Sequence, residues 1–207
     1  MAEVLRIGQV FGVTLTTWRG RWEARFPGVA LEVVAVADAD QRRVLDEGSV
    51  DACFVRLPLD TTGLRVIRLY EEVTVAWASK DHGIALYDEL TLADLEGEDI
   101  RSEVTDATLL EAVFGDAVLL VPMSVARSHS RRDFVVVPVT DAPTTGIALA
   151  FRPEADGELL QEFIGIVRGR TVNSSRSTAQ PKAAPRRQNT PRRAGAGRRP
   201  SPGRGRR

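Results

Sequence analysis

The spacing of the first 60 residues constrains the fold more than any other feature of the chain. Val4–Val10 reads as a strand. Leu15, Trp18, Trp22 and Phe26 then recur at intervals of three and four, the stripe of an amphipathic helix. Thr14 or Thr16 can cap its start, and Pro27-Gly28 stops it. Val29–Val36 reads as a second strand. Asp38 with Gln41 three residues on resembles a capping box for a short helix that buries Val44 and Leu45 and ends at Gly48. Val50–Arg56 is a run of small and β-branched residues stopped by Pro58, as suits a strand buried on both faces. Strand–helix–strand–helix–strand in so short a span forces right-handed crossovers and a parallel sheet. Ligands of such sheets bind at the carboxyl ends of the strands. Gln9–Thr17, Ala37–Asp40 and Arg56–Asp60 are therefore expected around one cleft.

The alternation continues. Leu64–Leu69 and Val73–Ala78 read as strands, and Thr91-Leu92-Ala93-Asp94 opens a short helix with a second capping-box pattern. Thr105–Phe114 reads as a helix ended by Gly115, and Val118–Val121 as a strand broken by Pro122. Ser124 is placed to cap a turn of helix through Ser128. Phe134–Val139 and Gly146–Phe151 are strands, and Asp156 caps a last helix with Leu159, Leu160, Phe163, Ile164 and Val167 on one face. Beyond Ser174 the residues are chiefly Arg, Pro, Gly, Ala and Ser. Residues 171–207 cannot bury enough surface to offset ordering entropy and are expected to be disordered.

Charge divides at the same place. The formal net charge is zero, but residues 1–166 hold 15 basic and 28 acidic side chains, a net of −13, and residues 167–207 hold 13 basic ones and no acid. Such a division separates a globular body from a solvated basic arm. The arm carries Arg186-Arg187, Arg192-Arg193 and Arg198-Arg199, spaced so that they can follow nucleic-acid phosphates without reading bases. A solubilising or self-docking arm is the rival reading.

Several function classes are not expected. No run of 18 apolar residues would span a membrane. The N-terminus lacks the pattern of a secretory signal, so a cytoplasmic location is expected and an extracytoplasmic solute-binding role is disfavoured. The single cysteine, Cys53, rules out an internal disulfide and a Cys-based zinc cage, and reads as a small buried hydrophobe. His82 and His129 fit no catalytic or metal-binding spacing and are expected in surface roles. No Walker A loop or dinucleotide fingerprint occurs, so neither a cofactor, a metal site nor a catalytic constellation is expected.

The order of motifs resembles the effector-binding domain of LysR-type transcriptional regulators. The motifs that carry the likeness begin with Leu5-Arg6-Ile7-Gly8, Arg25-Phe26-Pro27-Gly28-Val29 and Gly48-Ser49-Val50-Asp51-Ala52-Cys53-Phe54-Val55-Arg56-Leu57-Pro58. They continue with Gly63-Leu64, Leu69-Tyr70-Glu71-Glu72, Lys80-Asp81-His82, Leu92-Ala93-Asp94-Leu95, Val118-Leu119-Leu120-Val121-Pro122 and Phe163-Ile164-Gly165-Ile166-Val167-Arg168. The likeness covers about residues 3–170. It implies an α/β fold like that of type 2 periplasmic binding proteins, with two α/β subdomains joined by crossing strands and an effector in the cleft between them. Subdomain 1 would be about residues 3–73 and 138–170, and subdomain 2 about 74–137. Two departures from the family pattern stand out. The first strand follows Met1 almost at once, where the family has a winged helix-turn-helix, so DNA reading in the family's manner is not expected. Subdomain 2 is truncated, which leads to an incomplete cleft wall and exposed apolar surface around Val118–Val121.

The resemblance implies a small-molecule effector, with a carboxylate among the candidates, and a homodimer or a full-length LysR-type partner through which transcription would be regulated. The ligand-binding candidates are Thr14, Thr16, Asp38 and Arg56. Arg56 ends an apolar strand and offers a bidentate fork to an anion; a salt bridge to Asp60 or Glu71 is the rival reading. Thr14 and Thr16 flank a helix start whose free N–H groups attract anions. Asp38 would repel an anion facing it, and Phe11 either lines the pocket or packs in the core. The remaining rivals are a degenerate remnant of a regulator and a nonspecific nucleic-acid binder acting through the tail.

Overall fold

The computed structural model describes residues 3–115, 117–129 and 132–169. Strand β1 (Val4–Val10) is followed by helix α1 (Thr16–Arg25), β2 (Ala30–Val36), α2 (Gln41–Asp46) and β3 (Ala52–Arg56). β1 pairs in parallel with β2 on one side and β3 on the other, the arrangement the short loops require. The sheet is completed by β4 (Arg65–Glu72) and β9 (Thr145–Phe151), giving the order β2-β1-β3-β9-β4 with β9 antiparallel to both neighbours. A second sheet, β6-β7-β5-β8, contains β5 (Thr74–Ser79), β6 (Ile100–Arg101), β7 (Val118–Pro122) and β8 (Phe134–Pro138). Only β4–β5 and the segment between β8 and β9 carry the chain from one sheet to the other. We call the two halves lobe 1 and lobe 2.

The central strands of the first sheet are covered on both faces. On one, Leu15 and Trp22 of the α1 region and Leu160, Phe163 and Ile164 of α5 (Glu158–Val167) pack on Ile7, Phe54 and Leu149. On the other, Val44 and Leu45 of α2 cover Cys53, Val55 and Ala148. Gly8 lies opposite Cys53 in the β1–β3 register, and a Cβ there would sit 2.7 Å from the thiol sulfur, so the side chain of Cys53 occupies the room a larger residue 8 would need. Trp22 is fully buried and places its indole N–H on the Val29 carbonyl at 3.0 Å.

Lobe 2 corrects the expectation of a bare sheet face. Helices α3 (Asp106–Phe114) and α4 (Met123–Ser128) cover Val75, Trp77, Leu119 and Val121. Ile84, Leu90 and Leu95, from turns and short 3-10 segments, cover Ala76, Ala78 and Val118 from the other side. Val118, Leu119 and Val121 are consequently buried. Two short helices on one face and a few turns on the other are enough to cover the sheet.

Several caps also differ. Leu15, not Thr14 or Thr16, precedes the first turn of α1: its side chain is buried, its carbonyl accepts from the Arg19 N–H, and no side chain caps the end. Burial of Leu15 sets where the helix begins. Gln41 does not close a box with Asp38. Its amide N–H₂ donates to the Asp38 carbonyl at 2.7 Å, while its Oε1 accepts from the Arg56 backbone N–H at 2.6 Å and ties α2 to β3. Gly157, not Asp156, precedes α5, because the Asp156 carboxylate is engaged by Arg65 and Gln161. α3 starts as expected, with a reciprocal Thr105–Thr108 capping box, and ends at Gly115 with φ +82°.

Candidate functional site

β1, β2 and β3 end on the same edge of the first sheet, facing lobe 2. There the chain turns through Phe11, through Ala37 and Asp38, and through Leu57 and Pro58. These residues and Arg56 form one wall of a cleft of about 870 Å³. The other wall comes from lobe 2, from Ser102–Thr105, Leu120–Pro122, Val125 and His129. Thr74, Thr144 and Thr145 lie at the two crossovers. The three segments expected around one cleft are thus brought together at Phe11, Asp38 and Arg56.

Arg56 is engaged by the protein itself. Its side chain is 10% exposed, and three of its five N–H groups are spoken for. Nε donates to Asp38 Oδ2 at 3.1 Å, one Nη to Glu72 Oε2 at 3.0 Å and the other Nη to the Phe11 carbonyl at 2.6 Å. The acids that pair with it are Asp38 and Glu72, not Asp60 or Glu71. Glu72 is 7% exposed and also accepts from Ser124 Oγ of α4 at 2.8 Å. Ser124 therefore spends its hydroxyl on the other lobe instead of capping its own helix. One buried carboxylate at the end of β4 thereby connects the β3 terminus to lobe 2.

Gly12 stands at the same junction. Its φ is +89°, and a Cβ would meet Ser124 Oγ at 2.6 Å, so both its conformation and its proximity to α4 call for glycine. Thr14 is exposed and lines two smaller depressions beside the cleft, one with Glu72 and Ser124 and one with Phe11 and Ala37. Thr16 lines none of these. The start of α1 is thus apart from the cleft that holds Asp38 and Arg56. Arg186, Arg187, Arg192, Arg193, Arg198 and Arg199 lie outside the described residues.

His129 is not a surface residue of the kind expected. It is half-buried, with its ring 4.5 Å from that of Phe11 and 5.9 Å from that of Trp77, centroid to centroid. Phe11 is 46% exposed and faces the cleft, which answers the choice between pocket and core. Glu72, Ser124, Glu103 and His129 were not found by sequence reasoning. Glu72 lies in the Leu69–Glu72 motif, which does not tell which acid is buried, and Glu72, Ser124 and His129 acquire their places from packing between the lobes. Cys53 is buried mid-strand as expected, and desolvation pushes its thiol up to about 12, far from nucleophilic use. Among the described residues no cluster of three His, Cys, Asp or Glu could hold a metal ion, and no helix is long and apolar enough to cross a membrane.

Comparison with known proteins bears out the resemblance read from the motifs. The LysR substrate binding domain matches residues 3–102. The fold is that of LysR effector-binding domains. The BenM effector-binding domain with its effector benzoate superposes with a TM-score of 0.68 at 19% identity, over 80% of this chain and 90% of that one. The reduced OxyR regulatory domain of Pseudomonas aeruginosa gives 0.65 at 16% identity, over 81% and 95%. A full-length BenM variant gives 0.70 at 19% identity, and there the match spans 66% of the regulator's length. No curated protein sequence matches the chain.

Proposed function

We propose that this chain is a ligand-binding regulatory module of LysR type, with a small molecule held between its lobes and no catalytic step of its own. The observation that carries the proposal is the convergence of Phe11, Asp38 and Arg56, at the ends of three strands, on a cleft of ligand size whose far wall joins apolar side chains to a few polar ones. Asp38 is the polar contact proposed for the effector, and Arg56, bonded to Asp38, Glu72 and the Phe11 carbonyl, holds it in place. Thr14 belongs to the adjoining depressions, and Thr16 has no part. A ligand touching both walls favours the closed arrangement of the lobes, and the Glu72–Ser124 bond is the contact such closure strains or tightens. Transcriptional output passes through a second copy of the chain or a full-length LysR-type subunit in the cytoplasm.

The test is a backbone amide NMR titration with a charge-sorted library of small aromatic and aliphatic molecules. A binder should shift Phe11, Ala37, Leu57, Val121 and His129 together, from both walls. Binders that move residues of one lobe only, or no binder at all, would overturn the reading.

A further inference from the structure

We propose that the cleft selects a ligand with a cationic head, an alkyl- or arylammonium, and discriminates against carboxylates. This rests on the reading of the cleft as an effector site.

The argument begins with what Arg56 has left to give. An anion would have to compete with the Asp38 and Glu72 carboxylates, which are held by the backbone at 3.1 and 3.0 Å and lose no translational freedom on pairing. The guanidinium is the only permanent cation lining the cleft among the described residues, and it is outnumbered. Glu72 already balances it. Asp38 is half exposed and uses one oxygen on Arg56, and its other oxygen takes no hydrogen bond among the described residues. Glu103, exposed on the lobe 2 wall, has a carboxylate with no partner among the described residues. Counting Arg56 against Asp38, Glu72 and Glu103, the group carries a net of −2. The surrounding body has the same sign, with its 15 basic and 28 acidic residues before position 167, and attracts cations over longer range.

The aromatic lining of the two walls suits the same ligand. Phe11 and His129 lie 4.5 Å apart, centroid to centroid, and both line the cleft. Aromatic rings and an unsatisfied carboxylate oxygen lining one cleft are the combination that holds an ammonium by charge and by its attraction to a ring. Leu57, Val104 and Val125 offer apolar surface for the rest of the molecule.

The test uses three isosteric probes, benzylammonium, benzyl alcohol and benzoate, titrated against the full chain and against Asp38→Asn and Glu103→Gln, with cleft amide shifts as readout. Benzylammonium should bind at least about tenfold tighter than benzoate. Asp38→Asn should remove most of that preference, and Glu103→Gln should act in the same direction. Benzoate binding as tightly as the ammonium, or ammonium affinity unmoved in both variants, would overturn the charge assignment while leaving the effector site standing. Silence of all three probes and of the charge-sorted library would remove the effector reading and this proposal with it.

Discussion

Replacing Arg56 with Ala separates a structural clasp from a mere ligand contact. Among the described residues the guanidinium is the only cation bonded to Glu72, whose side chain is 7% exposed. Stranding one member of a buried ion pair costs about 3–5 kcal/mol, because the remaining charge is desolvated without compensation. The Asp38 contact adds less than about 1 kcal/mol, since that carboxylate is half exposed and water takes over from the lost partner. The freed Phe11 carbonyl sits on an exposed loop residue and rehydrates. Glu72 therefore dominates, and the total should be about 4 kcal/mol, a large share of the usual stability of a domain. Urea unfolding of the full chain, followed by tryptophan fluorescence, measures it. The decisive comparison is Arg56→Met with Glu72→Gln, alone and combined. Once the buried charge is gone the loss of the cation matters less, so the double variant should be more stable than additivity allows by about 1–3 kcal/mol. A loss under about 1 kcal/mol for Arg56→Ala, or strict additivity in the cycle, would refute the clasp.

Other outcomes follow from residues elsewhere. With its thiol pushed up to about 12 by burial, Cys53 should stay unreactive to a thiol reagent at pH 8, where an ordinary cysteine reacts readily, and should react at the unfolding rate in urea. Reaction of the native protein within minutes would contradict the buried assignment. The arginine pairs from Arg186 to Arg199 predict weak duplex DNA binding without sequence preference, falling steeply as salt rises; removal of residues 171–207 should abolish it and leave the Tm unchanged. Calorimetry and fluorescence anisotropy of the full and shortened chains decide both points, and binding that survives high salt would contradict a purely electrostatic arm.

The first 60 residues were the most legible part of the chain. Leu15, Trp18, Trp22 and Phe26 mark a helical stripe with no competing period, and Val50–Arg56 is apolar on both faces because both faces are covered. The partners of Arg56 were not legible, for a geometric reason. β4 changes register against β9 between Arg68 and Tyr70, so the strict alternation of its side chains does not carry through to Glu71 and Glu72. Glu71 then accepts from Thr144 at the surface while Glu72 turns to Arg56. A bulge of one residue decides which acid is buried, and no local pattern announces it. The caps at Thr14, Gln41 and Asp156 were misread for a related cause. Each is a good local capper, and in each case tertiary packing decided where the helix began or what the side chain bonded.

The central place of β9 bears on the order in which the protein can be built. The second sheet is encoded by one continuous stretch, Thr74–Pro138, and is complete once that stretch has left the ribosome. The first sheet begins to be made earlier but must finish later, since β3 and β4 have no contact with each other in the ladder except through β9, which ends at Phe151. β1, β2 and β3 therefore wait with one flank open while lobe 2 closes on itself, and the last strand is inserted between two that were made some 80 residues before it. Pulsed hydrogen exchange during refolding should protect the amides of β5 and β7 ahead of those of β3. The nascent chain's exposed edge is then β3, whose five residues, Ala52–Arg56, are all buried in the finished sheet and need the late partner to be so.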